Sequence, residues 1–255
     1  MKAVIVIPSR YGSTRFPGKP FVKVAGVGML NRVWRIAKAV KGVDEVYVAT
    51  DDKRIFDEVE KFGGKAVMTS SECPNGTHRV LETLEKLEVS DKSWTRSDIA
   101  VNFQGDAVVT PPWVIEALIS EMKKDKNILI ATPAIEVRGE KTAGTMVTFD
   151  TNHNALFFSR AQIPNSKNHP DAKDIKRFRH IGIYAYTYDA LRKFCSLEPT
   201  PLEKIEKLEQ LRALENGIPI KVVEVDYKGR THGSIDTPDD VKTVEDIIKK
   251  EGELV

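Results

Sequence analysis

Cysteine is scarce in this chain: Cys73 and Cys195 are the only two thiols among 255 residues. They lie far apart without metal-type spacing, which favours a reducing compartment. A surplus of one charge is also missing, because 39 Lys and Arg face 37 Asp and Glu for a formal net charge of +2. That balance argues against nucleic acid as a bulk partner and makes any basic site a local one. Long apolar runs are absent too: none approaches the roughly 20 residues a membrane span needs, so no membrane partner is expected. The first strand pattern begins at Lys2 with no signal-like stretch before it, and the expected location is the cytoplasm. There are no internal repeats and no low-complexity tract. What is present, 41% hydrophobic and 30% charged residues, is ordinary for a globular chain able to bury a sizeable core.

Short apolar runs alternate with amphipathic helical patterns through the first half. "KAVIVI", "EVYVAT", "KAVMT", "DIAVNF" and "ILIATPAI" read as strands. Between them "MLNRVWRIAKAV", "DKRIFDEVEKF", "THRVLETLEKLEV" and "PPWVIEALISEMKK" read as helices. This alternation predicts an α/β fold with a largely parallel sheet and helices on both faces. After residue 135 the rhythm changes: "TMVTFD", "ALFFSR" and "RHIGIYAYT" read as strands, and "TPLEKIEKLEQLRALENG" as one helix closed by Gly217. The expectation is a core formed by residues 1–135 and 217–255, with 136–216 as an inserted α+β subdomain. "IKVVEV" and a helix from about Pro238 return to the first pattern.

Ligands of such sheets bind at the carboxyl ends of the strands. At the first of these ends stands "PSRYGSTRFPGKP", residues 8–20, with three fixed cations at Arg10, Arg15 and Lys19. A loop that only reverses the chain needs Gly and Pro but has no use for converging positive charge. Neither GxGxxG nor GxxxxGK[ST] occurs, since Pro follows the lysine where the Walker pattern requires Ser or Thr. What remains is a loop in which Gly12 and Gly18 allow close backbone approach while the three cations neutralise a triphosphate. A solvated basic loop is the plain alternative.

Asp106, in "QGDA" after the strand "IAVNF", is either a turn residue behind Gly105 or a ligand for a hard cation such as magnesium. In "SIDTPDD" the helix start is already complete, with Thr237 as N-cap, Pro238 next and Asp240 at the third position. Asp236 is therefore free to point elsewhere. No Ser/His/Asp or Cys/His set is spaced for a nucleophile, and the five His are scattered.

"IPSRYGSTRFPGKP" resembles the signature loop of the nucleotidyltransferases that make CMP-activated sugar acids, and most of all that of the 3-deoxy-manno-octulosonate (Kdo) cytidylyltransferase family. "VATDDKRI", "FGGKAVMTS", "NGTHRV", "NFQGD", "ALFFSRAQIP", "RHIGIYAY", "IEKLEQLRALENG" and "SIDTPDD" follow in that family's order through nearly the whole chain. The resemblance implies a three-layer, Rossmann-like nucleotide-diphospho-sugar transferase fold, Mg2+ as cofactor, and a homodimer formed mainly by the inserted subdomain. It implies attack of a sugar acid on CTP with loss of pyrophosphate, serving lipopolysaccharide or capsule synthesis. The metal would be held by Asp106 and Asp236, with Arg10 and Lys19 on the phosphates. CTP would be read by Pro8, Arg10, Gly12, Ser13, Arg15, Lys19, Asn75, Gly76, Thr77, Arg79 and Gln104. The sugar would meet Arg160, His180, Tyr184, Glu209 and Gln210, with Arg160 on its carboxylate. Tyr184 has sheet packing as its alternative, and Glu209 a solvated helical face.

Three positions depart from the family pattern: His78 and Ala107 each replace an acid, and Met146 stands where a lysine is expected. They leave a modified ulosonic acid, such as 8-amino-Kdo or a nonulosonic acid, as a second substrate. An enzyme acting on sugar 1-phosphates and a non-catalytic nucleotide sensor are the rival classes. The first needs a second phosphate site, and the second has no need of both aspartates.

Overall fold

A computed structural model describes residues 1–12, 16–90, 98–138, 144–165 and 175–255. In chain order its first half comprises β1 (Ala3–Pro8), the short strands β2 (Lys23–Val24) and β3 (Val27–Gly28), α1 (Met29–Lys38), β4 (Glu45–Thr50), α2 (Lys53–Lys61), β5 (Lys65–Met68), α3 (Gly76–Ser90), β6 (Ile99–Asn102), α4 (Pro112–Lys124) and β7 (Ile130–Val137). Then come β8 (Met146–Phe149), β9 (Ala155–Ser159), β10 (Arg177–His180), β11 (Tyr184–Thr187), α5 (Tyr188–Cys195), α6 (Pro201–Glu206), α7 (Leu211–Glu215), β12 (Lys221–Glu224) and α8 (Pro238–Glu251).

β1 is buried along its whole length, with alternate residues serving two cores. Ala3, Ile5 and Ile7 enter a cluster with Val33 and Ile36 of α1, Leu118 of α4 and Val244 of α8. Val4 and Val6 enter another with Val80 and Leu84 of α3, Leu191 and Phe194 of α5 and Leu211 of α7. Helices therefore cover both faces, and the molecule has three layers, as a two-faced apolar strand requires.

The main sheet runs β5-β4-β1-β6-β11-β7-β10-β8-β9, with β12 beside β7. It is parallel from β5 to β6. β11 then enters antiparallel between β6 and β7, and β10, β8 and β9 continue antiparallel. The strands of the 136–216 segment thus share one sheet with those of the first half.

The single helix expected over 200–217 is a correction: it is broken into α6 and α7. Lys207 adopts a left-handed conformation (φ 57°) at the end of α6. Leu208 and Gln210 are buried in the turn that follows. Arg212 of α7 reaches back with Nε and Nη2 to the Glu203 carboxylate at 2.8 and 2.6 Å and locks the break. Among the described residues no helix is long and apolar enough to cross a membrane.

Candidate active site

The carboxyl ends of β1 and β6 and the start of α3 meet at an open cleft with an empty volume of about 950 Å³. Its walls include Pro8, Arg10, Lys19, Asn75, Gly76, Arg79, Gln104, Asp106 and Asp236. The close approach of these elements explains two glycines. A Cβ on Gly105 would lie 3.1 Å from the Pro8 carbonyl oxygen, and one on Gly76 would lie 3.2 Å from Pro8 Cγ. A side chain at either place would crowd Pro8 at the end of β1.

From the opening loop, Arg10 is exposed on the cleft. Lys19 sits at the start of a short turn behind Gly18 (φ 72°), while Gly12 is exposed with open space around its Cα. Ser13 and Arg15, expected at the nucleotide, lie outside the described residues. Lys19 Nζ donates to Asp106 Oδ2 at 2.7 Å and lies 3.6 Å from Asp236 Oδ1. Two carboxylates more than a hundred residues apart in sequence thus converge on one cationic point.

The capping pattern of α8 forms as its spacing predicts. Asp240 Oδ2 accepts from the Asp236 and Thr237 backbone N–H groups and from the Thr237 hydroxyl, at 2.8, 2.7 and 2.9 Å. Those donors hold the Asp240 carboxyl below the usual carboxylate range. The Asp236 side chain is thereby left for the cleft. A backbone bond from Ile235 N to Asp106 O at 3.2 Å ties the two acidic loops together.

This pair fits a hard cation. The Lys19 ammonium stands between two oxygen donors, where magnesium, which is commonly held by one or two carboxylates plus substrate phosphates, would find its protein ligands. Among the described residues there is no group of three or more His, Cys, Asp or Glu that could cage a metal without substrate.

At the Gly76 side of the cleft, Gln104 Nε2 donates to Asn102 Oδ1 at 2.8 Å. Arg79 is buried, its guanidinium donating to Thr69 Oγ1 at 2.5 Å and to Asp51 Oδ2 at 3.1 Å. Asp51 and Asn102 are supports that the sequence reading did not assign. Their signal was available, since each stands at or just after the carboxyl end of a parallel strand.

Glu209, expected at the sugar, is drawn into a hydrogen-bonded cluster. The break after α6 aims it at the start of α3, where its carboxylate accepts from Asn75 Nδ2 at 2.7 Å and Thr77 Oγ1 at 2.9 Å. Burial pushes its carboxyl above the ordinary value. His78, left unassigned from the sequence, places Nδ1 at 2.8 Å from Asn75 Oδ1 and Nε2 at 3.2 Å from the Cys195 carbonyl.

Tyr184 packs against His180, with ring centroids 5.3 Å apart. Burial and the Glu209 charge push the Tyr184 phenol well above its normal range. Its hydroxyl and Gln210 Nε2 are buried without hydrogen-bond partners among the described residues. His180 is buried and held neutral, its pKa lowered to about 3 by burial and then by His232. Arg160 is exposed, and its guanidinium meets main-chain carbonyls rather than an acid: Nε donates to Glu206 O at 3.0 Å and Nη2 to Lys207 O at 3.3 Å. Ala107 and Met146 are both buried in packing and line no part of the cleft.

A cleft of this kind, with a basic loop at the end of β1 facing two acids in an α/β sheet, is the arrangement of a nucleotidyltransferase. Comparison with known proteins agrees. A family profile described as "Cytidylyltransferase" matches residues 4–223. A 3-deoxy-manno-octulosonate cytidylyltransferase of Maricaulis maris is 49% identical over 100% of both chains. An 8-amino-3,8-dideoxy-manno-octulosonate cytidylyltransferase of Shewanella pealeana is 42% identical, with 96% of this chain and 98% of that one covered. Among solved structures, a CMP:2-keto-3-deoxy-manno-octonic acid synthetase complexed with CTP superposes with a TM-score of 0.86 at 37% identity, covering 98% of this chain and 100% of the other. The chain belongs to the cytidylyltransferase family.

Proposed function

We propose that the protein transfers CMP from CTP to the anomeric hydroxyl of 3-deoxy-manno-octulosonate and releases pyrophosphate. The observation that carries this reading is the Lys19 ammonium lying between Asp106 and Asp236 at the mouth of the cleft. Attack at an α-phosphate requires alignment and neutralisation of charge more than a covalent partner. Arg10 and Lys19 supply fixed positive charge for the triphosphate, while Gln104 and the "NGT" turn face the nucleoside. Asp106 and Asp236 would hold a magnesium ion, which would supply charge neutralisation for the triphosphate. His180, Tyr184, Glu209 and Gln210 orient the sugar. Arg160, whose guanidinium has no carboxylate partner among the described residues, receives the sugar carboxylate.

The deciding experiment is a pyrophosphate-release screen of the four NTPs with magnesium against Kdo, 8-amino-Kdo, a neuraminic acid and a sugar 1-phosphate. CTP with Kdo is expected to lead. Preference for 8-amino-Kdo transfers the assignment to that amino sugar, and preference for the sugar 1-phosphate overturns the sugar-acid reading.

A homodimer is part of the same proposal. Leu156 on β9, which ends the sheet, is 62% exposed, and Ile205 on α6 is 75% exposed. Apolar exposure on an edge strand and on the helix beside it is supported by a second copy covering both. Light scattering at micromolar concentration is expected to give a dimer mass, and Leu156→Glu to give a monomer. Two thiols, both unpaired, are consistent with a cytoplasmic setting.

A further inference from the structure

Thr132 lies on β7, directly between β10 with His180 and β11 with Tyr184, and is fully buried. Its hydroxyl meets three partners: the carbonyl oxygens of Ile183 at 2.7 Å and Ile181 at 3.3 Å, and His180 Nε2 at 2.9 Å. A hydroxyl has one proton to donate. Carbonyl oxygens carry no hydrogen, so an approach of 2.7 Å to Ile183 O requires that proton to lie between the two oxygens. The hydroxyl oxygen then receives rather than donates on the imidazole side, and His180 Nε2 must carry the N–H. With the ring neutral, Nδ1 is left bare and can only accept a hydrogen bond. The ring plane is fixed as well, by edge contact with Phe158 (centroids 5.1 Å apart, 80°) and by Tyr184.

We propose that Thr132 is a positioning residue for sugar selection: it locks His180 in the Nε2–H tautomer, so that Nδ1 reads a hydrogen-bond donor on the sugar. A hydroxyl or an amino group satisfies that nitrogen. A carboxylate oxygen is repelled by its lone pair, which turns the acid end of the substrate away from His180. The inference rests on the sugar-site reading of His180 and adds what sets its polarity.

The test is 15N NMR of histidine-labelled whole protein at neutral pH, with the His180 signals identified by their loss in His180→Gln, together with steady-state kinetics in CTP and Kdo. The wild type is expected to show a protonated Nε2 and a bare Nδ1. In Thr132→Val, which keeps the shape but removes the acceptor, the tautomers mix, and the Kdo KM rises about fivefold or more while the CTP KM holds. Thr132→Ser keeps the hydroxyl and restores both readouts, separating the role from general loss of packing. An Nδ1–H tautomer in the wild type overturns the proposal, as does an unchanged Nε2–H tautomer in Thr132→Val. So does a tautomer change that leaves the Kdo KM alone while His180→Gln raises it. If neither variant moves the Kdo KM, His180 is not in the sugar site, and the underlying reading falls with the inference.

Discussion

Lys19 lies 2.7 Å from one aspartate and 3.6 Å from another, holding together two like charges that would otherwise repel. Removing charge from either acid without changing its size tests what the pair is for. Asp106→Asn and Asp236→Asn are each expected to lower turnover by about 10²-fold or more, as loss of a group at the reacting phosphate does. The melting temperature should move little, because a partly exposed ion pair contributes about 1 kcal/mol or less. Pyrophosphate release at saturating magnesium and calorimetry give the two numbers, and near wild-type rates in both variants would remove the metal assignment. Arg10→Ala and Lys19→Ala are expected to raise the CTP KM. Lys123→Ala should leave it unchanged, since that lysine donates to the Gly42 carbonyl on an exposed surface and is screened there. Equal effects from all three would reduce the loop to a general charge term. At this scale the acids were legible: capping grammar leaves Asp236 without a helix role, and the Asp240 bonds show that grammar in force. Glu209 was less so, because its aim depends on a left-handed lysine two residues earlier, for which no local residue type gives a signal.

Strands and helices were legible wherever burial imposes a clean period, as in β1 with its two-faced apolar run and α1 with its one-sided stripe. The 200–217 segment fails that test because its charges suit either one long helix or two short ones. The choice is made by a tertiary contact, the Arg212 fork on Glu203. Arg212 is 4% exposed and donates its third bond, from Nη1, to the Leu197 carbonyl at 3.1 Å. Glu203→Gln leaves a buried guanidinium without its counter-charge and is expected to cost about 2–3 kcal/mol by urea unfolding. Because the same fork sets the turn that carries Glu209, the Kdo KM should rise while the CTP KM stays put. An unchanged Kdo KM in a destabilised variant would show that Glu209 keeps its aim without the lock. The place of β11 was equally beyond a local reading: its sequence marks a strand, but its antiparallel insertion between β6 and β7 is a choice among distant partners.

Across the molecule, the largest acid-side liability is a pair of imidazoles that folding keeps neutral. His180 is held down to about 3 by burial and His232, and His232 to about 4 by burial and Arg179. Both lie below the ordinary value of 6.5, so between that pH and the folded values the unfolded chain binds protons that the native chain refuses. Stability must therefore fall as the solution is acidified from neutrality. Integrated from pH 6.5 to 5, His180 accounts for about 2 kcal/mol, and His232, whose folded value also lies below pH 5, for a similar amount. Glu209 acts in the opposite sense. Its raised carboxyl takes up a proton in the native state first, so acidification favours the fold through that group and partly offsets the loss. Carboxylates held below their usual range, such as Asp52, Glu203 and Asp240, add their own losses only at lower pH, below about 4.5. The urea midpoint is accordingly expected to drop between pH 7 and pH 5. In His180→Gln, whose amide can still donate to Thr132, the drop should shrink by about 2 kcal/mol. Superimposable pH profiles for wild type and variant would show that the native state protonates His180 as readily as the unfolded chain does, and a charged His180 could not present the bare nitrogen that the proposed sugar reading requires.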